Sequence, residues 1–270
     1  ARRLALLPEG PPTYFEVLTA VAFRVFAKAD VELAVVEVGV GGRLDATNVL
    51  APAACAITRI DYDHMEKLGT TLAKIASEKA GIIKPITPVF TSETSAEPLK
   101  VIRARAEEEG ARLTEVHPMN VIGGDRVTFT WKKRPWTIET LGKHQAENAA
   151  LALSVAEFVL DGLDATKTAQ ALATVVLPGR VQRVAKNRIV DVAHNPLSMR
   201  ATADAVAGLP RRKFICVFGS SADKDYRKML KTLKPDLWIF TKSASPRAAE
   251  PEELARHAQG TCLLTQSVSS

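Results

Sequence analysis

The chain has 270 residues, 36 Lys and Arg against 30 Asp and Glu, a formal net charge of +6, and 46% hydrophobic residues. This is the composition of a soluble globular protein with one large or two smaller domains. No apolar run approaches the ~20 residues that span a bilayer. The basic residues are scattered among acids without a basic-aromatic strip, so neither nucleic acid nor a membrane is expected as a partner, and a polyanionic small molecule fits the charge equally well.

The opening residues, Ala1 to Pro8, are basic and apolar but too short for a signal peptide. The chain does not begin with Met and is expected to be a piece of something longer. Cys55, Cys216 and Cys262 lie in or beside apolar runs at no metal-ligand spacing, which suits reduced thiols and a cytoplasmic location. Thr13 and Glu16 form a capping-box pair before a helix whose apolar positions are Phe15, Leu18, Ala22, Val25 and Phe26. Val31–Val38 and Ala53–Ile60 are short, β-branched and apolar, the pattern of buried parallel strands. A glycine-rich turn, Gly39 to Asn48, separates them. Helices are expected over Thr70–Lys79 and Ser95–Gly110, with a strand over Pro88–Thr91 between them. Alternating strand and helix predicts a parallel sheet. From Leu113 to Leu141 short strands predict a small antiparallel insert, followed by helices over His144–Leu160 and Ala165–Val176. Leu177-Pro178-Gly179-Arg180 breaks the chain. Alternation then restarts with strands over Arg188–Val192, Phe214–Phe218, Leu237–Thr241 and Thr261–Leu264 and helices over Leu197–Leu209, Asp225–Leu233 and Pro251–His257. The fold class is α/β, with a domain boundary near residue 177.

Ligands of open α/β sheets bind outside the carboxyl ends of the strands. Glu37 and His64 stand at two such ends, and Lys79 follows on the next helix. A carboxylate, an imidazole and a lysine converging there predict a divalent metal and phosphate chemistry, although an ammonium is a poor partner for a cation. The spacing of Gly39, Gly41 and Gly42 is not that of the dinucleotide fingerprint. Asn148 lies in the first turns of a helix, where Asn is intrinsically disfavoured, and can pair with a base edge such as adenine. Asp191 and His194 end a strand, and Arg180 on the chain break is placed to reach a phosphate.

Six strings occur in order: Glu37–Asn48 (E-V-G-V-G-G-R-L-D-A-T-N), Asp63-His64 with Leu68-Gly69 after it, Glu78–Lys84 (E-K-A-G-I-I-K), Gly142–Ala150 (G-K-H-Q-A-E-N-A-A), Leu177–Arg180 and Asp191–Pro196 (D-V-A-H-N-P). Together they resemble the folylpolyglutamate synthase/dihydrofolate synthase family of the Mur-ligase superfamily. The resemblance implies a Mur-ligase-type central ATP-binding domain over residues 1–176 and a Rossmann-like glutamate-ligase domain over 177–270, both partial. It implies Glu37, His64 and a carbamylated Lys79 as Mg2+ ligands and catalytic groups. Asn148, Arg180, Asp191 and His194 correspond to ATP contacts, with Asn148 at the adenine. Thr13, Tyr14, Phe15, Glu16, Leu44, Asp45 and Ala46 fall in the pteroate-contacting stretches.

The implied reaction is ATP-dependent addition of L-glutamate to a folate or dihydropteroate carboxylate through an acyl phosphate, by a monomer. The family's phosphate-binding loop, of the form G-T-x-G-K-G-S, is not found in these residues, and Gly142-Lys143 is the only Gly-Lys pair. These residues by themselves are therefore expected to be inactive. A non-catalytic binding module of the same fold, and a peptidoglycan-precursor Mur ligase, are the other readings.

Overall fold

The computed structural model describes residues 10–210 and 212–265. The chain divides into two compact units, residues 1–115 and 116–270. The first is built on helix α1 (Tyr14–Lys28), strand β1 (Cys55–Ile57), helices α2 (Met65–Leu68) and α3 (Leu72–Ala80), strand β2 (Val89–Thr91), helix α4 (Ala96–Glu108) and strand β3 (Leu113–Glu115). The strands form a three-stranded parallel sheet in the order β1-β2-β3. Its core gathers Cys55, Ile57, Ile60, Ile75, Ala76, Ile83, Val89 and Ile102, all buried. The helices start as the sequence dictates. Thr13 and Glu16 close a reciprocal capping box on α1, and the Thr71 hydroxyl accepts from the Lys74 N–H at α3.

Two expectations fail here. Residues 31–38 are not a buried strand: they carry no ladder, and Val31, Leu33 and Val35 are 45%, 52% and 95% exposed. An apolar run becomes a strand only when a neighbour pairs its backbone and covers its side chains. Among the described residues, no strand pairs with this run. Leu113–Glu115, expected in the antiparallel insert, is instead the third strand of the parallel sheet, in register with Val89–Thr91.

The second unit opens with an antiparallel sheet, β4 (Met119–Ile122), β5 (Val127–Trp131) and β6 (Arg134–Ile138), in that order. Helices α5 (His144–Val159) and α6 (Ala165–Thr174) follow. Trp131 Nε1 donates to the Ser154 hydroxyl of α5 at 3.1 Å. Next comes a hairpin of β7 (Gln182–Ala185) and β8 (Arg188–Val190), and then α7 (Pro196–Ala207). Here the sequence reading is corrected again. Arg188–Val190 pairs antiparallel with β7 instead of joining a parallel sheet, because the short link between β7 and β8 returns the chain directly upon itself. The unit ends with β9 (Ile215–Phe218), α8 (Tyr226–Leu230), β10 (Leu237–Phe240), α9 (Pro251–His257) and β11 (Cys262–Leu264). These three strands form a parallel sheet in the order β11-β10-β9. Trp238 stacks on Phe240 with centroids 5.4 Å apart, and Phe218 packs edge-on against both rings.

Candidate functional site

The first unit contains a cavity of about 290 Å³ whose wall includes Thr13, Phe15, Glu16, Leu44, Asp45 and Ala46. The sequence set these residues apart in two stretches about thirty positions distant. Folding brings them together: the N-terminus of α1 faces the loop after residue 38, and the Phe15 ring lies where a Cβ on Gly39 would be, 2.6 Å from Phe15 Cζ. Tyr14 is not part of this wall and is exposed. Gly42, Lys67, Leu68 and Glu78 also line the cavity.

The glycine-rich loop approaches another part of its own chain. A Cβ on Gly42 would stand 2.8 Å from the Glu78 carbonyl oxygen and 3.0 Å from that of Lys79, and one on Gly81 would stand 2.4 Å from Arg43 Cβ. Two of the six strings therefore exist as a packed pair, loop 39–48 against the end of α3. The Arg43 N–H donates to the Glu78 carbonyl at 2.8 Å, its guanidinium pairs with the Glu78 carboxylate at 2.9 Å, and Asn48 Nδ2 donates to the Arg43 and Gly81 carbonyls.

Asp45 holds the loop from inside. One carboxylate oxygen accepts from the N–H groups of Gly39 and Val40 at 3.1 and 3.0 Å, and the other from the N–H and hydroxyl of Thr47 at 2.9 and 2.6 Å. Partial burial opposes its ionisation, but the hydrogen bonds from Thr47, Val40 and Gly39 outweigh it and hold the carboxyl below the usual aspartate value. All four lone-pair positions of the carboxylate are occupied.

Of the three expected metal ligands, two come near a common neighbour. Lys79 is half-buried in the last turn of α3, and desolvation lowers its pKa against the opposing charge of Asp63. Asp63 Oδ1 lies 3.9 Å from His64 Nε2. His64 has φ +47°, a left-handed conformation at the start of α2. Glu37 sits on the uncovered 31–38 segment and makes no hydrogen bond or ion pair among the described residues. No group of three His, Cys, Asp or Glu side chains that would hold a metal occurs among the described residues.

Sequence reasoning missed Glu93. Its carboxylate is 1% exposed and accepts from the Ile60 N–H at 2.6 Å and from the Thr94 and Ser95 N–H groups at 2.7 Å. It thereby ties the segment after β1, which leads to His64, to the segment after β2. The available signal was an acid directly following a short apolar strand, the same signal that was read at Glu37.

In the second unit Asn148 is exposed on α5, and its Nδ2 donates to Oε1 of buried Gln145 at 3.0 Å. Gln145, also missed, thus engages the Asn148 amide nitrogen. The Asp191 carboxylate accepts from the N–H groups of Val181 and Ala193 and from the Thr202 hydroxyl. Arg180 is exposed, and its guanidinium makes no hydrogen bond or ion pair among the described residues. His194 is exposed, with Nδ1 3.1 Å from the Val192 carbonyl oxygen. Asn195 and Pro196 begin α7, Asn195 as an N-cap accepting from the Ser198 N–H and Pro196 in the first turn. His144 is half-buried, and desolvation lowers its pKa against the charges of Asp191 and Asp204.

The profile of the Mur ligase middle domain matches residues 12–156, and that of the Mur ligase glutamate ligase domain matches residues 179–269. The chain belongs to the Mur ligase family. Within that family it is 36% identical to a dihydrofolate synthase/folylpolyglutamate synthase of Bacillus subtilis, over 83% of this chain and 56% of the relative. It is 35% identical to a probable bifunctional folylpolyglutamate synthase/dihydropteroate synthase of Halobacterium salinarum, over 96% of this chain and 34% of the relative. A Mycobacterium tuberculosis folylpolyglutamate synthase complexed with ADP and AMPPCP superposes with a TM-score of 0.87 at 32% identity, covering 97% of this chain and 65% of that one. The chain thus spans about a third to just over half the length of these two curated relatives. In Mur ligase terms the cavity, loop 39–48, Lys79 and Asn148 fall in the middle-domain match, and Arg180, Asp191 and His194 in the glutamate-ligase match.

Proposed function

We propose that this chain carries the acceptor cavity and part of the nucleotide site of an enzyme that uses ATP to join L-glutamate to a folate or dihydropteroate carboxylate. The observation that carries this reading is the cavity of the first unit. Six of the seven residues matched to pteroate-contacting stretches line it together, with an aromatic ring at Phe15 to stack on a flat heterocycle. The B. subtilis relative's name and the ADP and AMPPCP of the M. tuberculosis structure support the same assignment.

In this reading Asn148, Arg180, Asp191 and His194 form the nucleotide side: Asn148 at the base, and Arg180 and His194 toward the phosphates. The carboxylate oxygen attacks the γ-phosphorus of ATP and ADP leaves; the glutamate amine then attacks the carbonyl carbon of the acyl phosphate, loses a proton to solvent, and phosphate leaves. Placement of the partners and neutralisation of phosphoryl charge supply most of the rate. The functional division is proposed at residue 177, a central ATP-binding part before it and a glutamate-ligase part after it, which the two profile matches support. A monomer in the cytoplasm completes the reading. No helix among the described residues is long and apolar enough to cross a membrane.

Magnesium is implied by the family, but the residues present do not complete its site. His64 and Lys79 share the neighbourhood of Asp63, whereas Glu37 is joined to neither. With no G-T-x-G-K-G-S loop in these residues, the 270 residues alone are proposed to bind acceptor without turning over ATP.

Titration of the chain with dihydropteroate and with tetrahydrofolate, followed by amide shifts around Phe15 and Leu44, tests the acceptor reading. Saturable shifts confined to the cavity wall are expected, and shifts elsewhere or none at all would overturn it. Glutamate-dependent ADP release by the 270 residues, free of any longer enzyme, would sink the proposal that they are inactive alone.

A further inference from the structure

The cavity of the first unit has three carboxylates and one ammonium on its wall, and hydrogen bonding separates the two kinds. Each carboxylate is engaged by the protein. Glu16 Oε2 accepts from the Thr13 N–H at 2.6 Å and from its hydroxyl at 2.8 Å. Glu78 Oε1 accepts from Arg43 Nε at 3.2 Å and from a terminal guanidinium nitrogen at 2.9 Å. Asp45 has all four acceptor positions filled. Lys67 is left over: it is exposed, and its ammonium makes no hydrogen bond or ion pair among the described residues. An ammonium offers three donors and no acceptor, so the partner it suits is an anion supplied from outside the chain.

The backbone beneath Lys67 is held in place. Its N–H donates to the His64 carbonyl at 2.9 Å within the single turn of α2. Leu68 beside it is buried, and Leu68 Cδ2 lies 2.8 Å from where a Cβ on Gly41 would stand, so α2 is packed on the glycine-rich loop. Gly69, at φ +98°, then turns the chain out of the helix in a conformation that glycine adopts freely, and its N–H donates to the Met65 carbonyl at 3.0 Å. Lys67 therefore stands at a fixed point of the wall, one turn from His64, which marks the end of the site where phosphate chemistry is expected.

That placement narrows the choice of anion. The reacting carboxylate of an acceptor attacks phosphorus with an oxygen lone pair, and an ammonium paired to it would draw that electron density away. A second carboxylate that takes no part in the reaction meets no such conflict. Dihydropteroate has one carboxylate, the reacting one. A folate that already carries glutamate has two on its terminal residue, one to react and one to spare. We propose that Lys67 takes the non-reacting carboxylate of a glutamylated acceptor and so inclines the cavity toward folates over dihydropteroate. This rests on the acceptor reading above and deepens it by naming the acceptor class.

The test compares the unaltered 270-residue chain with K67M, which keeps an unbranched stem and removes the charge, and with K67R, which keeps the charge. Dissociation constants are read from the amide shifts around Phe15 and Leu44. Tetrahydrofolate is expected to bind K67M about fivefold more weakly, the upper end for an exposed ion pair, and to keep most of its affinity for K67R. Dihydropteroate should bind all three alike. Of the two tetrahydrofolate analogues with one glutamate carboxylate converted to a carboxamide, one should bind the unaltered chain and K67M equally, and the other should keep the difference. Equal losses for dihydropteroate and tetrahydrofolate in K67M would overturn the inference, as would unchanged tetrahydrofolate binding, or equal losses in K67M and K67R. If the unaltered chain binds neither acceptor, the acceptor reading fails and takes the inference with it. That result is distinct from the others, in which the acceptors bind and only the role of Lys67 is at issue.

Discussion

Loop 39–48 and turn 179–181 are each held by one aspartate, and they are held differently. Asp45 closes on its own loop: its four hydrogen bonds come from Gly39, Val40 and Thr47, all within six residues. Asp191 reaches outward, to donors ten residues back in the sequence, two ahead and eleven ahead. The first arrangement makes a rigid block that then docks on α3 as a unit. The second is a junction in which separate segments depend on a single group. A local clasp is lost at one place, whereas a junction fails at every segment it joins.

The largest effect expected from breaking the first arrangement comes at its docking face. Gly81→Ala would place a Cβ within 2.4 Å of Arg43 Cβ and 2.7 Å of Arg43 Cα. Backbone cannot yield there as a flexible side chain would, so a loss of about 3 kcal/mol is expected in urea unfolding, at the upper end for an overpacked site. A loss near zero would show that the loop rests on α3 loosely. Asp45→Ala removes acceptors from four donors that stay partly solvated, and about 2 kcal/mol is expected. On the proposed function, acceptor binding should weaken together with protection of the Gly39 and Val40 amides, since the carboxylate holds the loop. Weaker acceptor binding with those amides still protected would instead assign it to the ligand.

Acid separates the two regions by pH. The lowered pKa of His144 means that between its folded value and 6.5 the unfolded chain binds the extra proton. The stability it contributes is therefore complete above pH 6.5 and is lost as pH falls through the folded value. Asp45, also lowered, contributes stability that is complete above 3.8 and is lost only below that. Protection factors of second-unit amides near Gly142, taken relative to the free-chain exchange rate at each pH, should fall on mild acidification, while those of Gly39 and Val40 hold. Simultaneous loss of both would mean that one cooperative event controls them.

Smaller effects concern single groups. A desolvated Lys79 amine is more readily neutral, and the neutral amine adds CO2 to give a carbamate and a proton. Labelled bicarbonate should produce one carbamate carbon signal that Lys79→Ala abolishes. A signal that survives the substitution belongs to another amine. Burial pushes the Cys55 thiol up to about 11 and that of Cys216 up to about 12, so both should resist alkylation at neutral pH and react on unfolding.

The sequence made several elements legible because their signals are local. Thr13 with Glu16 announces α1, and Leu44, Asp45 and Ala46 of the Glu37–Asn48 string line the cavity beside them. What it could not show was which groups are already engaged. Asp45 and Asp191 read as ligand-facing carboxylates, yet all four acceptor positions of Asp45 and three of the four of Asp191 are filled by donors of the chain itself. Val31–Val38 read as a strand because composition reports what a segment can do, not whether a neighbour is present to pair with it. Glu93 escaped notice because one acid after a short strand is indistinguishable from a solvated one until three N–H groups converge on it.

Uncovered backbone outside any helix or ladder is what a protease can draw into its cleft. In this chain that description falls on residues 31–38, between α1 and the loop clasped by Asp45. A nick there would leave α1 attached through the cavity wall and no longer through the chain. The helix carrying Thr13, Phe15 and Glu16 could then drift away while the rest of the unit stayed folded. The binding cavity would be cut loose before anything unfolded, and a ligand that bridges its two walls would act as the splint that keeps a clipped chain whole.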